Sequence, residues 1–185
     1  MINAYELPTV IESCGQSIPI RNKADWRTII DVNIALTDVE LTDQERVIAS
    51  LTIFYDMDIA SIKDPSDAAK KMVEFIAVGD DETVGPKKPK LIDWQDDAAL
   101  IVSGVNSVLN TEIRAQAYMH WWTFVAAYSA IGDSVLATVV GIRDKIARNK
   151  KLEKHEREFK DNNPQYFSRK RDAEAEYNVL LDLID

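Results

Sequence analysis

The chain has 185 residues, 46% of them hydrophobic and 29% charged, the composition of a soluble globular protein long enough to bury a real core. The longest apolar run, Val135-Leu136-Ala137-Thr138-Val139-Val140, is far short of a membrane span, the start Met1-Ile2-Asn3-Ala4-Tyr5-Glu6 lacks the pattern of a secretory signal, and a single cysteine, Cys14, excludes an internal disulfide. A net charge of −9 argues against general nucleic-acid affinity, and the expected location is the cytoplasm.

The charge is uneven along the chain. Residues 143–171 carry 11 basic and 5 acidic side chains, a net of +6, whereas residues 172–185 carry 5 acidic and no basic ones. A basic segment set between acidic ones points to contact with the protein's own acidic body or with an acidic partner.

In chain order, Thr9-Val10-Ile11-Glu12-Ser13 and Ser17-Ile18-Pro19-Ile20 flank Cys14-Gly15-Gln16. Gly15 can supply a positive φ, so a short hairpin spanning about residues 8–20 is expected. Pro19 cannot donate to a ladder, which makes its strand an edge. Asp25 can cap a helix whose apolar face is Trp26, Ile29 and Ile30. Thr42-Asp43-Gln44-Glu45 is a capping box, followed by a stripe of Val47, Ile48, Leu51, Phe54 and Tyr55. Asp64-Pro65-Ser66 opens the next helix, which is expected to bury Ala69, Met72, Val73 and Ile76 and to end at Gly79.

Residues 80–90 read as a solvated loop through Gly85-Pro86-Lys87-Lys88-Pro89-Lys90. Asp93 is expected to open a helix carrying Trp94, Ala98, Ile101, Val102, Val105, Val108 and Leu109, with Asn110 as its left-handed stop. The window from Arg114 to Ala130 then reads as one unbroken central helix. Tyr118, Trp121, Trp122 and Val125 form one stripe, and Phe124, Tyr128 and Ile131 a second, so neighbours are expected on several sides. Gly132-Asp133-Ser134 caps a shorter helix with Val135, Leu136, Val139, Val140 and Ile142. From Lys145 to Lys160 the chain is highly charged, anchored sparsely by Leu152 and Phe159, until Asn162-Asn163-Pro164 breaks it. A final helix over about Arg169 to Ile184 would present Tyr177, Leu180, Leu181 and Ile184 on one face. The fold expected is mainly α: a single helical domain over residues 1–163 with a small N-terminal β-hairpin and six to eight helices, plus a C-terminal helical extension over 164–185.

No catalytic signature is apparent. His120 and His155, the only histidines, each lack a second histidine or a carboxylate at i+4, the pairing a helical metal site needs. Asp93, Asp96 and Asp97 cluster where a helix should start. Two of them could hold a cation or act as acid and base, but carboxylates also simply favour the positive end of a helix. Asp56, Asp58 and Asp64 lack the ligand spacing of a calcium loop. There is no phosphate-cradling glycine loop or nucleophile elbow, and Cys14 has no local base to activate it. The expectation is a protein without enzymatic activity, cofactor or metal. The partner-binding candidates are the basic residues Lys150, Lys151, Lys154 and Arg157, and the apolar face Tyr177, Leu180, Leu181 and Ile184 of a terminal helix that docks either on its own chain or in a groove of another protein. The basic run lacks the aromatic interleaving that stacks bases.

Three stretches resemble the bacteriophage "gene product fifteen" family of long-tailed phages. They are Ile18-Pro19-Ile20-Arg21 through Asp25-Trp26-Arg27; Leu91-Ile92-Asp93-Trp94-Gln95-Asp96-Asp97-Ala98-Ala99-Leu100-Ile101; and Met119-His120-Trp121-Trp122-Thr123-Phe124, followed by Gly141-Ile142-Arg143. Together they span about residues 9–160. Val105 and Asn110 stand where the family tends to have an aromatic residue and a glycine, and residues 164–185 match nothing in it. Family members are encoded among tail genes near the tape-measure protein. The resemblance therefore implies a non-enzymatic tail assembly factor, a chaperone whose partners are the tape-measure and tail-tube proteins. A structural virion component and a nucleic-acid binder using residues 143–171 are the alternatives, and homo-oligomerisation stays open.

Overall fold

The computed structural model describes residues 6–78 and 91–167, and its architecture is mainly helical with one two-stranded antiparallel sheet. The chain forms two compact units. Among the described residues, one comprises 6–78 and 109–130, the other 91–108 and 131–167.

The first unit begins with β1 (Val10–Ser13) and β2 (Gln16–Pro19), paired in the register Val10 to Pro19 and Ser13 to Gln16. Cys14 and Gly15 make the turn at φ 45° and 69°, both left-handed, as a two-residue type I′ connection requires. Pro19 lies at the end of its strand, where its missing N–H costs nothing, and its carbonyl accepts from Asp56 N–H at 2.9 Å. Alternation turns Ile18 inward, fully buried, onto the helices.

Helix α1 (Trp26–Thr37) starts where Asp25 accepts from the Arg27 N–H, and it buries Trp26, Ile29 and Val32. Helix α2 (Asp43–Phe54) starts at the reciprocal Thr42–Glu45 capping box, a device worth about 1 kcal/mol. Of its expected stripe, Leu51, Phe54 and Tyr55 are buried, but Val47 and Ile48 at the N-terminal end remain exposed.

Helix α3 (Pro65–Ile76) is capped by Asp64, which accepts from the Ser66 and Asp67 amides. Its buried face is Ala68, Met72 and Phe75, not the expected Ala69, Val73 and Ile76; Val73 is exposed. Phe75 decides the rotation, because it packs against both Phe54 and Trp122 at 5.5 and 5.4 Å between ring centroids. The helix is followed by a left-handed Val78 at φ 57°, while the expected Gly79 stop lies outside the described residues.

The largest departure concerns the central helix. It does not run from Arg114. Ile113–Ala115 is a short 3-10 turn, residues 116–119 are non-helical, and α5 covers only Trp121–Ser129. Tyr118 therefore lies off the helix, 45% exposed, with its hydroxyl donating to the Lys23 carbonyl. The backbone before α5 is diverted into other bonds: Met119 N–H donates to the Asp25 carboxylate and Met119 C=O accepts from Trp26 N–H. Those bonds hold it extended where propensity alone would have continued the helix. Trp121 and Phe124 are buried, Phe124 stacks on Trp26, Trp121 and Tyr128, and the helix ends before Ile131.

In the second unit, Asp93 opens a turn over residues 94–97 rather than the helix itself, and α4 runs Ala98–Leu109. Ile101, Val102 and Val105 are buried, and Asn110 follows the helix at φ 50°, the expected left-handed stop. Helix α6 (Val135–Ala147) starts at Ser134 and buries Leu136, Val139 and Ile142; at 13 residues it is the longest described helix, not a short one. Helix α7 (Lys154–Asn162) carries no fully buried residue, and Pro164 opens the 3-10 turn after it. The expected helix over 169–184 lies outside the described residues. Among the described residues no helix is long and apolar enough to cross a membrane.

Candidate functional site

The second unit holds one built polar centre. Asp93 folds its carboxylate over the next turn, accepting from the amides of Gln95 and Asp96 at 3.0 and 3.1 Å. That turn aims Asp97 inward until it is 2% exposed, and its Oδ2 accepts from Asp93 N–H at 2.9 Å. Arg143, placed by α6 beside Ile142, reaches the same carboxylate with Nη1 at 2.6 Å from Oδ2 and Nη2 at 3.0 Å from Oδ1. Nη1 also donates to Leu91 C=O at 2.9 Å, while Nε and Nη2 donate to Tyr166 C=O. All five guanidinium donors thus have acceptors, the condition under which a partly buried arginine is tolerated.

This clamp sits in a cleft of about 350 Å³ whose walls include Asp93, Asp96, Ile146, Lys160 and Phe167. The three clustered aspartates are therefore separated by role. Asp93 closes the turn, Asp96 stands on the cleft wall, and Asp97 is matched charge for charge by Arg143. Two guanidinium nitrogens and a backbone amide take three of the roughly four lone-pair sites of the Asp97 carboxylate.

The first unit repeats the device. The Asp25 carboxylate accepts from Arg27 N–H at 3.0 Å, from Arg27 Nη1 at 3.2 Å and from Met119 N–H at 3.1 Å. Arg27 Nη2 then donates to the carbonyls of Ile113, Arg114 and Gln116, tying down the loop before α5. The guanidinium carbon lies 5.0 Å over the Trp26 ring. In both units an arginine grips a helix-opening aspartate and collects carbonyls from a distant loop.

His120 is 2% exposed and serves as the N-cap of α5: its Nδ1 accepts from Trp122 N–H at 3.1 Å and its Nε2 lies 3.0 Å from Pro8 C=O. Burial pushes its pKa below the ordinary histidine range, with the Pro8 carbonyl pulling the other way. His155 is exposed on α7, beside Glu153. Cys14 is exposed at the hairpin tip, 3.7 Å from carboxylates of both Asp64 and Asp67. Desolvation and the negative charge of those carboxylates push its thiol pKa up, away from the reactive thiolate. Asp56 pairs with Arg21, and Asp58 caps a short 3-10 turn. Among the described residues no group of three or more His, Cys, Asp or Glu is arranged to hold a metal ion.

Of the sequence-derived partner candidates, Lys150 and Lys151 are exposed in the connection between α6 and α7, and Lys154 and Arg157 are exposed on α7 itself. The basic run as a whole is less free than its charge count implies. Arg143 is held by Asp97, Lys145 by Glu156 at 2.6 Å, Arg148 by Asp144 at 2.7 Å, and Lys154 lies 3.8 Å from Glu158. Tyr177, Leu180, Leu181 and Ile184 lie outside the described residues. The residues that sequence reasoning left without a role are Arg27 and Arg143. The available signal was an arginine directly after an apolar helical run, as in Val139-Val140-Gly141-Ile142-Arg143.

The stretches that meet in these two clamps are those that carried the family resemblance. Asp25-Trp26-Arg27 meets Met119-His120, and Asp93 to Asp97 meets Arg143. No curated protein and no solved structure matches the chain. The family model described as "Bacteriophage Gp15 protein" matches residues 5–168, and the chain therefore belongs to that bacteriophage family.

Proposed function

We propose that this Gp15-family protein is a non-enzymatic tail assembly factor, a chaperone that binds the phage tape-measure protein in the host cytoplasm before tail-tube subunits polymerise around it. The observation that carries this reading is the use made of the family's ionisable residues. Asp25, Arg27, Asp97 and Arg143 are spent on one another and on backbone carbonyls. Chemistry on a small substrate would need at least one such group presented to the substrate and not closed into a structural clamp. What this chain offers a partner is surface, and surface acts by contact.

The test is co-expression with the tape-measure protein. A chaperone keeps that protein soluble and co-purifies with it. Equal solubility without this protein, and no co-purification, sinks the reading. Mass spectrometry of purified virions separates a chaperone, which is absent from them, from a structural tail component, which is present.

Exposed Lys150, Lys151 and Arg157 keep nucleic-acid binding by residues 143–171 as a second reading. Phosphate contacts would show as retention on DNA that falls steeply with salt. No retention at low salt removes it.

A further inference from the structure

The N-terminal segment and the start of α5 are joined through one imidazole. Trp122 N–H donates to His120 Nδ1, so that nitrogen carries no proton; Nε2 carries it and donates to Pro8 C=O. The ring is enclosed by Phe75 and Trp122, both edge-on with centroids 5.9 Å away. Next to Pro8, Thr9 C=O accepts from Ile20 N–H at 2.8 Å, which continues the connection into the hairpin.

We propose that His120 is a proton-operated latch on the first turn of α5: neutral, it caps the helix through Nδ1, and protonated, it uncaps it while Nε2–H keeps its bond to Pro8 C=O. Protonation places a second N–H at Nδ1, opposite the Trp122 N–H. The helix then loses its cap acceptor, two donors face each other, and a positive charge sits at the positive end of α5. Among the described residues no carboxylate stands ready to neutralise it. From α1, Asp25 is already taken by Arg27 and Met119 N–H. From α3, Lys71 and Glu74 pair with each other, and Asp67 is held by Ser13. In the cleft onto which the ring opens, the other lining residues are Leu7, Leu109, Thr111, Gln116, Tyr118, Met119 and Thr123, of which only Tyr118 titrates, and far above neutrality.

The depressed pKa sets the sign. The latch is closed at and above the ordinary histidine value of 6.5 and opens as pH falls below it.

Amide hydrogen exchange on the full chain between pH 7.5 and 5, corrected for intrinsic rates, tests this. Opening at Trp122 is expected to rise by up to about tenfold per pH unit below 6.5, while Ile20, on the Pro8 side of the ring, stays protected. Arg27, capped by Asp25, should not follow. His120→Asn retains a side-chain cap acceptor and removes the titration, so its exchange should lose the pH dependence. The wild-type ring gives a second readout by NMR: His120 stays neutral until the first turn of α5 opens. Opening at Trp122 that ignores pH, the same pH dependence in His120→Asn, or a His120 ring that protonates while the Trp122 amide stays protected would each overturn the latch.

Discussion

Both carboxylate oxygens of Asp97 are held by the guanidinium of Arg143, 46 residues further along the chain, at 2.6 and 3.0 Å. Asp97 is almost wholly buried and the Arg143 side chain is 23% exposed. Removing one partner leaves the other charge uncompensated. Arg143→Ala is therefore expected to cost about 3–5 kcal/mol, near the upper end for a partly buried pair. Arg143→Lys keeps the charge but loses the fork that also holds Leu91 and Tyr166, and should recover only a minority of that cost. Urea denaturation measures both; a loss under about 1 kcal/mol for Arg143→Ala would show that the clamp is incidental.

The tryptophan pair acts on α3 as well as on the core. Trp121 Nε1 donates to Ile76 C=O and Trp122 Nε1 to Phe75 C=O, each at 3.0 Å, which satisfies two carbonyls at the end of that helix. Trp121→Ala is expected to cost about 3–5 kcal/mol through lost burial and the cavity left behind. Trp121→Phe, which keeps much of the volume and removes the donor, should cost about 1–3 kcal/mol. An unchanged thermal midpoint in Trp121→Ala would mean the helix is peripheral.

Ser50 presents the opposite case. It is fully buried in α2, and its hydroxyl has no hydrogen-bond partner among the described residues. The folded state bears the desolvation of that hydroxyl without return. Ser50→Ala also improves helix propensity, so a gain of about 0.5–1 kcal/mol is expected. A measured loss of stability would reveal a partner for the hydroxyl.

Ser13, nearly buried on β1, donates to Asp67 Oδ2 at 2.6 Å and ties the hairpin to the first turn of α3. That hydrogen bond is the main cause holding the Asp67 carboxyl below the ordinary aspartate range. A depressed carboxylate stabilises the fold above its unfolded value, near pH 4, and that contribution is lost as pH falls through the folded value. In Ser13→Ala the Asp67 pKa should rise towards normal. Stability should drop at pH 7 and be unaffected at pH 2. Carboxyl-carbon NMR titration reads the pKa directly, and an unmoved Asp67 would assign the shift to another cause.

Much of the fold was legible because its signals are local. The Cys14-Gly15 turn, the Asp25 cap, the Thr42–Glu45 box, the Asp64 cap before Pro65 and the Asn110 stop are each decided within about four residues, and each stands where the residue order indicates. The site was less legible. Asp93, Asp96 and Asp97 are conspicuous as a cluster, but nothing in their spacing says that one closes a turn and another meets an arginine on α6.

The sequence by itself determined the helical class, the hairpin and the starts of α1, α2, α3 and α6, because capping, turn chemistry and apolar periodicity act over one or two turns of chain. Only the tertiary structure decided where α5 begins, which face of α3 is buried, and what the arginines hold. Met119 gives its backbone to Asp25 and Trp26, 94 and 93 residues away, and so cannot be helical. Phe75 turns α3 towards rings on other elements. Bonds of that span outweigh a propensity difference of a few tenths of a kcal/mol per residue, and no local pattern records them.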